Sequence, residues 1–169
     1  MGQPPDKFMG TILEFLQRLN DHGVQFVVIG GVAAILHGSA TTTEDLDVCA
    51  PLDEPNLVRI QAALRGLHPK FRMSPRLPPL FEDVKDLVGF RNLNLITDWG
   101  VLDILGEVTG VGAYGEVLKE SVEVKLDDSS VRILKLPALI QAKTAANRPK
   151  DRGIIPVLKF MQEHARKNP

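Results

Sequence analysis

The chain has 169 residues, 44% of them hydrophobic and 24% charged, with 20 Lys plus Arg against 21 Asp plus Glu and a formal net charge of -1. That composition excludes disorder, collagen, coiled coil and a disulfide scaffold, and the length fits one globular domain over 1–169. The longest apolar run, Phe26 to Leu36, covers 11 residues and is broken by Gly30 and Gly31, whereas a membrane-spanning helix needs ~20.

No basic, then apolar, leader opens the chain, and the single cysteine, Cys49, has no internal partner, so a cytoplasmic protein with no membrane partner is expected. Phe8, Met9, Ile12, Phe15, Leu16 and Leu19 recur at spacings of three and four, which predicts an amphipathic helix over 7–21, closed by Gly23. A short β-branched strand over 25–29 runs into Gly30-Gly31. A helix over 32–37, closed by Gly38, and a strand over 44–50 follow. Leu57, Ile60, Leu64 and Leu67 share one face of a helix over 54–67. Residues 68–80, with Pro69, Pro75, Pro78, Pro79, Lys70, Arg72 and Arg76, read as a loop.

Four strands are expected next, over 92–96, 101–105, 122–126 and 131–135, the last two joined by Asp127-Asp128-Ser129-Ser130. Helical spacing returns over about 137–166, interrupted at Asn147-Arg148-Pro149, with Pro156 near the start of the final helix. Helices and strands intermix without strict βαβ alternation, so the expected fold class is α+β, a mixed sheet with helices packed on it. The charge is uneven. Residues 81–130 carry 4 basic and 11 acidic side chains and residues 131–169 carry 9 and 2, a contrast that suits an anionic ligand or two mutually neutralising surfaces.

The most informative stretch is Glu44-Asp45-Leu46-Asp47-Val48. On a strand, Asp45 and Asp47 project from one face, about 7 Å apart, while Leu46 and Val48 enter the core. Oxygen ligands of this kind suit Mg2+, although two solvated acids on an exposed strand are the plainer reading of such a pair. Asp103 sits inside the apolar Val101-Leu102-Asp103-Ile104-Leu105. A buried carboxylate needs a cation or a set of donors, so something must hold it. If its strand lies beside the Asp45/Asp47 strand, three carboxylates meet on one face. Gly30 and Gly31, between a strand and a helix, would let backbone N–H groups approach phosphate, or simply make a turn. Lys143 falls on the apolar stripe of its helix, which implies a head that reaches a cleft, an anion or water. His37, Cys49 and Trp99 are read as structural, Trp99 with base stacking as the alternative.

Together, Gly30-Gly31, Asp45-Leu46-Asp47 and the lone Asp103 resemble the minimal nucleotidyltransferases of the DNA polymerase beta superfamily. The phrase from Gly30 to Gly38 and on through Thr43-Glu44-Asp45-Leu46-Asp47 is similar to the branch that contains the nucleotidyltransferase toxins of abortive-infection and toxin–antitoxin systems. The resemblance spans about 24–152. It implies that Gly30, Gly31 and Thr43 contact the nucleotide, with Lys143 and Lys150 in a later basic motif, and that Asp45, Asp47 and Asp103 are catalytic and metal-binding. Two Mg2+ ions and an NTP co-substrate are then expected, the NMP passing to a hydroxyl of a protein, an RNA or a small molecule, with an antitoxin as a possible protein partner. Two positions depart from the family pattern: Thr41 stands where relatives often carry arginine, and Ile154 where they often carry a second acid. The alternative reading is a catalytically degenerate nucleotidyltransferase-like binding or regulatory module. An RNA-binding adaptor ranks lower for want of aromatic residues among the bases.

Overall fold

The computed structural model describes residues 5–74 and 82–168, with side chains from residue 9 onward. Pro75, Arg76, Pro78 and Pro79 of the expected loop, and the Phe8 side chain, lie outside the described residues. In chain order the elements are α1 (Pro5–Asp21), β1 (Val27–Val28), α2 (Gly30–Leu36), β2 (Asp45–Cys49), α3 (Glu54–Leu64), β3 (Lys70–Phe71), β4 (Asn92–Thr97) and β5 (Gly100–Leu105). There follow β6 (Glu107–Val108), β7 (Gly112–Ala113), α4 (Tyr114–Lys119), β8 (Ser121–Leu126), β9 (Ser129–Leu134), α5 (Leu136–Ala146) and α6 (Ile154–Lys167). Short 3-10 turns occupy Val84–Leu87 and Pro149–Asp151. Among the described residues no helix is long and apolar enough to cross a membrane.

The helices form where the apolar spacing dictates. Ile12, Phe15, Leu16 and Leu19 of α1 are buried, and Leu57, Ile60, Ala63 and Leu64 of α3 join them in the core. The Asp53 side chain accepts the Asn56 N–H and starts α3. Trp99, in the turn between β4 and β5, packs edge-on against Phe15 with centroids 5.5 Å apart, beneath the Arg18 guanidinium, so its role is core packing. Cys49 is buried and its thiol is pushed up to about 12 by desolvation and then by Glu107, which leaves no reactive thiolate.

Seven strands make one mixed sheet in the order β3-β4-β5-β2-β1-β9-β8, with β2–β5 and β1–β9 parallel and the other neighbours antiparallel. The fold class is therefore α+β, as the intermixed pattern predicts. At the centre both faces are covered, since Val27 and Val28 point to opposite sides and both are fully buried. Towards β3 only one face is covered. Leu93, Leu95 and Thr97 are buried, whereas Asn92 and Ile96 are exposed and Asn94 is half-buried. The open side carries Asn94 and, across the register, Asp103.

The segment 68–80 is not wholly loop. Lys70 and Phe71 pair with Ile96 and Leu95 and form an edge strand, too short to have a periodicity of its own. The β6–β7 ribbon and α4 were not legible in the sequence, because each is only two to six residues long and Gly106, Gly110 and Gly112 break any pattern between them. The turn between β8 and β9 is tighter than expected, Ser129 and Ser130 already pairing with Leu126 and Lys125.

Candidate active site

β2 delivers the two aspartates. Leu46, Val48 and Cys49 are buried while Asp45 and Asp47 are half-buried, so the alternation that the sequence implies is realised and both carboxylates face a cleft of about 850 Å3. Its walls also include Gly30, Gly31, Thr41, Thr43, Lys143, Arg148, Lys150 and Asp151. The lining joins carboxylates from β2 with basic residues from α5 and the turn after it.

The double glycine lies beside them because the Ile29 N–H donates to the Asp47 carbonyl at 3.0 Å, which fastens the end of β1 to the middle of β2. Gly30 has φ +63, and a Cβ there would run into the Asp47 carboxylate. A Cβ on Gly31 would come within 2.8 Å of the Thr43 Cβ. Both glycines are therefore required by the close approach of neighbouring side chains, quite apart from any ligand. Thr43 Oγ1 bonds the Asp45 backbone at 3.3 and 3.4 Å and squares off the entry to β2. The His37 ring Nε2 donates to the Leu134 carbonyl at 2.8 Å and ties the end of α2 to β9, a structural role.

Asp103 is brought to the same face. It is the register partner of Asp47 across the parallel β2–β5 pair and of Asn94 across β5–β4. Its carboxylate, however, is already held. Arg72 Nη2 donates to Oδ1 at 2.8 Å and to Oδ2 at 2.9 Å, and Asn94 Nδ2 donates to Oδ1 at 3.0 Å. Asp103 is not part of the cleft lining, and among the described residues no group of three or more His, Cys, Asp or Glu side chains is arranged to hold a metal ion. The expected trio of Asp45, Asp47 and Asp103 thus shares a face without forming a three-ligand cluster. The physical reason is that an apolar strand admits a carboxylate only with its charge compensated, and a guanidinium supplies the compensation here.

Among the described residues Asp47 has no such ion-pair partner. Burial first, then the carboxylates of Asp103 and Asp45, push its pKa from 3.8 up to about 6, against the opposing pull of Lys150 and Arg148. An underneutralised pair of oxygen donors at the mouth of a cleft fits a single divalent cation on Asp45 and Asp47. Elsewhere in the lining, Lys143 is buried and donates to Asp151 Oδ1 at 3.2 Å, while Arg148 Nε donates to Asp151 Oδ2 at 2.8 Å. Burial acts to raise the Asp151 pKa, but the hydrogen bonds and charges of Arg148 and Lys143 outweigh it and hold the group below its usual range. Lys150, Ile154, Thr41 and Thr42 are also part of the lining.

The structure therefore places Gly30, Gly31, Thr43, Asp45, Asp47, Lys143 and Lys150 around one cleft and leaves Asp103 beside it. Arg72 and Asn94 were not foreseen. For Asn94 a signal existed, since Asn92 and Asn94 share parity on a predicted strand; for Arg72 there was none, its segment having no readable period.

No protein-family model matches this chain, and no curated protein matches it. Among solved structures, the chain is similar to a crystal structure from Thermotoga maritima, of a protein provisionally described as a nucleotidyltransferase. The two are 16% identical, 95% of this chain and 96% of that one are covered, and the TM-score is 0.55. The likeness shows a nucleotidyltransferase-like fold.

Proposed function

We propose that the protein is a Mg2+-dependent nucleotidyltransferase that moves NMP from an NTP to an acceptor hydroxyl. The observation that carries this reading is the cleft itself, whose lining combines Asp45 and Asp47 of β2 with Lys143, Arg148 and Lys150 of α5 and the turn after it. That distribution suits a polyphosphate, whose charge needs cations on every side. A magnesium ion on Asp45 and Asp47 would supply charge neutralisation and orientation of the triphosphate. Lys143 is aimed by its bond to Asp151 and would offer its remaining N–H groups to phosphate, and Lys150 adds a second charge to the lining.

In the reaction the acceptor oxygen forms a bond to the α-phosphorus while the bond to the bridging oxygen breaks, and pyrophosphate leaves with that electron pair. Of the roughly four acceptor positions on the Asp103 carboxylate, Arg72 and Asn94 use three, which leaves one for the acceptor hydroxyl. Asp103 would orient that hydroxyl and take its proton as the new bond forms. The motif phrase from Gly30 to Asp47 supports placing the protein in the toxin and abortive-infection branch, in the cytoplasm and with a protein antitoxin as partner.

Incubation with α-labelled and, separately, γ-labelled NTP, Mg2+ and cell extract tests the reading. Label from the α position should appear on protein, RNA or a small molecule and label from the γ position should appear in pyrophosphate; transfer of γ label to the acceptor would contradict it. The Arg72–Asp103 pair favours one second reading, a nucleotide-binding module without transfer, which would show NTP binding and no transferred label.

A further inference from the structure

We infer that Arg72 is a built-in counter-ion that withholds Asp103 from the metal site, so that the cleft takes one divalent cation, on Asp45 and Asp47, and gains a further carboxylate ligand only when Arg72 is removed. This rests on the reading of the cleft as a metal–nucleotide site.

Position comes first. Asp103 pairs in register with Asp47, and neighbouring strands lie about 4.8 Å apart, so by backbone placement alone Asp103 belongs to the same cluster as Asp47. Its side chain nevertheless meets the guanidinium of Arg72 with both oxygens and the Asn94 amide with one. Magnesium demands near-octahedral oxygen ligands at about 2.1 Å. With a cation already in contact with both of its oxygens, the Asp103 charge is compensated, and a second positive charge beside the guanidinium is repelled.

The arginine is not a wandering surface residue. The Arg72 N–H donates to the Asn94 carbonyl at 2.9 Å, directly after the β3 pairing of Lys70 with Ile96 and Phe71 with Leu95. Phe71 is pinned in turn by a stacked contact with Phe90, centroids 5.7 Å apart. Alternation along β3 then puts Phe71 on the covered face and Arg72 on the open face, over Asn94 and Asp103. Asp47, Asp103 and Asn94 form one row across β2, β5 and β4, which Arg72, just past the end of β3, extends, so that the cation at the far end decides whether the second carboxylate is available to the near end. The Asp103 side chain is 13% exposed and that of Arg72 is 35% exposed, so water screens the pair little on the aspartate side.

Manganese titration, read from the spin-resonance signal of the free ion, tests this on the wild type, Arg72→Gln, Arg72→Met, Arg72→Lys and the double variant Arg72→Gln/Asp103→Asn. Arg72→Met keeps an apolar stem of similar length in case the glutamine variant folds poorly. The wild type should bind one ion per chain, and so should Arg72→Lys, which keeps the charge. Arg72→Gln or Arg72→Met should bind a second ion or hold the first at least tenfold more tightly. That gain should vanish in the double variant, because the ligand gained is Asp103. Two ions on the wild type, no gain on removing Arg72, or a gain that persists without Asp103 would each overturn the inference. Absence of manganese from every variant would overturn the metal site and this inference with it. Normal metal counts without label transfer would overturn the enzymatic reading alone.

Discussion

Asp47 is the residue on which the site's electrostatics converge, and its physics was half legible in advance. The alternation in Asp45-Leu46-Asp47-Val48 shows that two carboxylates share a face, and the position of Asp103 shows that a third must find compensation. Which cation compensates it was not legible, since Arg72 meets Asp103 through tertiary pairing of β3, β4 and β5. One carboxylate is neutralised and the other is not, and this has a consequence for stability. With its pKa raised from 3.8 to about 6, Asp47 holds its proton more tightly in the folded chain than in the unfolded one. Its contribution is therefore most favourable below about pH 4 and is lost as pH rises through 6. In chelator, urea unfolding should find Asp47→Asn more stable than wild type at pH 8, by roughly 2–3 kcal/mol from the shift. At pH 4 the advantage should have largely gone. A difference that does not change with pH would show that Asp47 is not strained by its neighbours.

α5 and the 3-10 turn after it form a unit whose task is to present cations to the cleft. The helix was predictable from Leu139, Ile140 and Ala146, and Lys143 on the same stripe pointed to a head that reaches a cleft, an anion or water. The partner was not foreseen, because Asp151 reaches it only after Asn147, with φ +50, reverses the chain and Pro149–Asp151 makes one tight turn. Removing one member of a buried ion pair leaves the other uncompensated, so Asp151→Asn should cost about 3 kcal/mol of stability. The paired replacement Lys143→Met with Asp151→Leu removes both charges and should recover most of that loss. It should recover none of the nucleotide affinity, since the cation itself has gone. Thermal unfolding together with equilibrium NTP binding separates the two effects; affinity that returned with stability would mean that Lys143 only packs. The same dependence on tertiary context explains why β1 is two residues long where the apolar run predicted five. Val27 and Val28 pair with Cys49 and Val48 of β2, Val28 also pairs with Ile133 of β9, and Ile29 already turns towards the Gly30 start of α2.

Across the whole molecule, the uneven charge of the sequence is resolved by folding. Residues 131–169 carry 9 basic and 2 acidic side chains. Three of those basic residues, Lys143, Arg148 and Lys150, line the cleft that Asp45 and Asp47 face from β2. The sheet order β3-β4-β5-β2-β1-β9-β8 makes this possible by setting the acidic strands near its middle and leaving the sheet half open towards β3. The fold class was therefore readable from the order of elements, while the meeting of the two charged segments in one cleft belongs to topology, which a sequence pattern does not carry. The central claim is that this cleft binds a metal–nucleotide complex through Asp47. The most direct measurement is the melting temperature of wild type and Asp47→Asn, each with Mg2+ alone, NTP alone and both together. A ligand at about 100 times its Kd adds about 2.7 kcal/mol, or roughly 5–10 °C for a chain of this size. The wild type should show that rise only with Mg2+ and NTP together, and Asp47→Asn should show little of it. Equal shifts in both proteins, or no shift in the wild type with any of the four NTPs, would contradict the account.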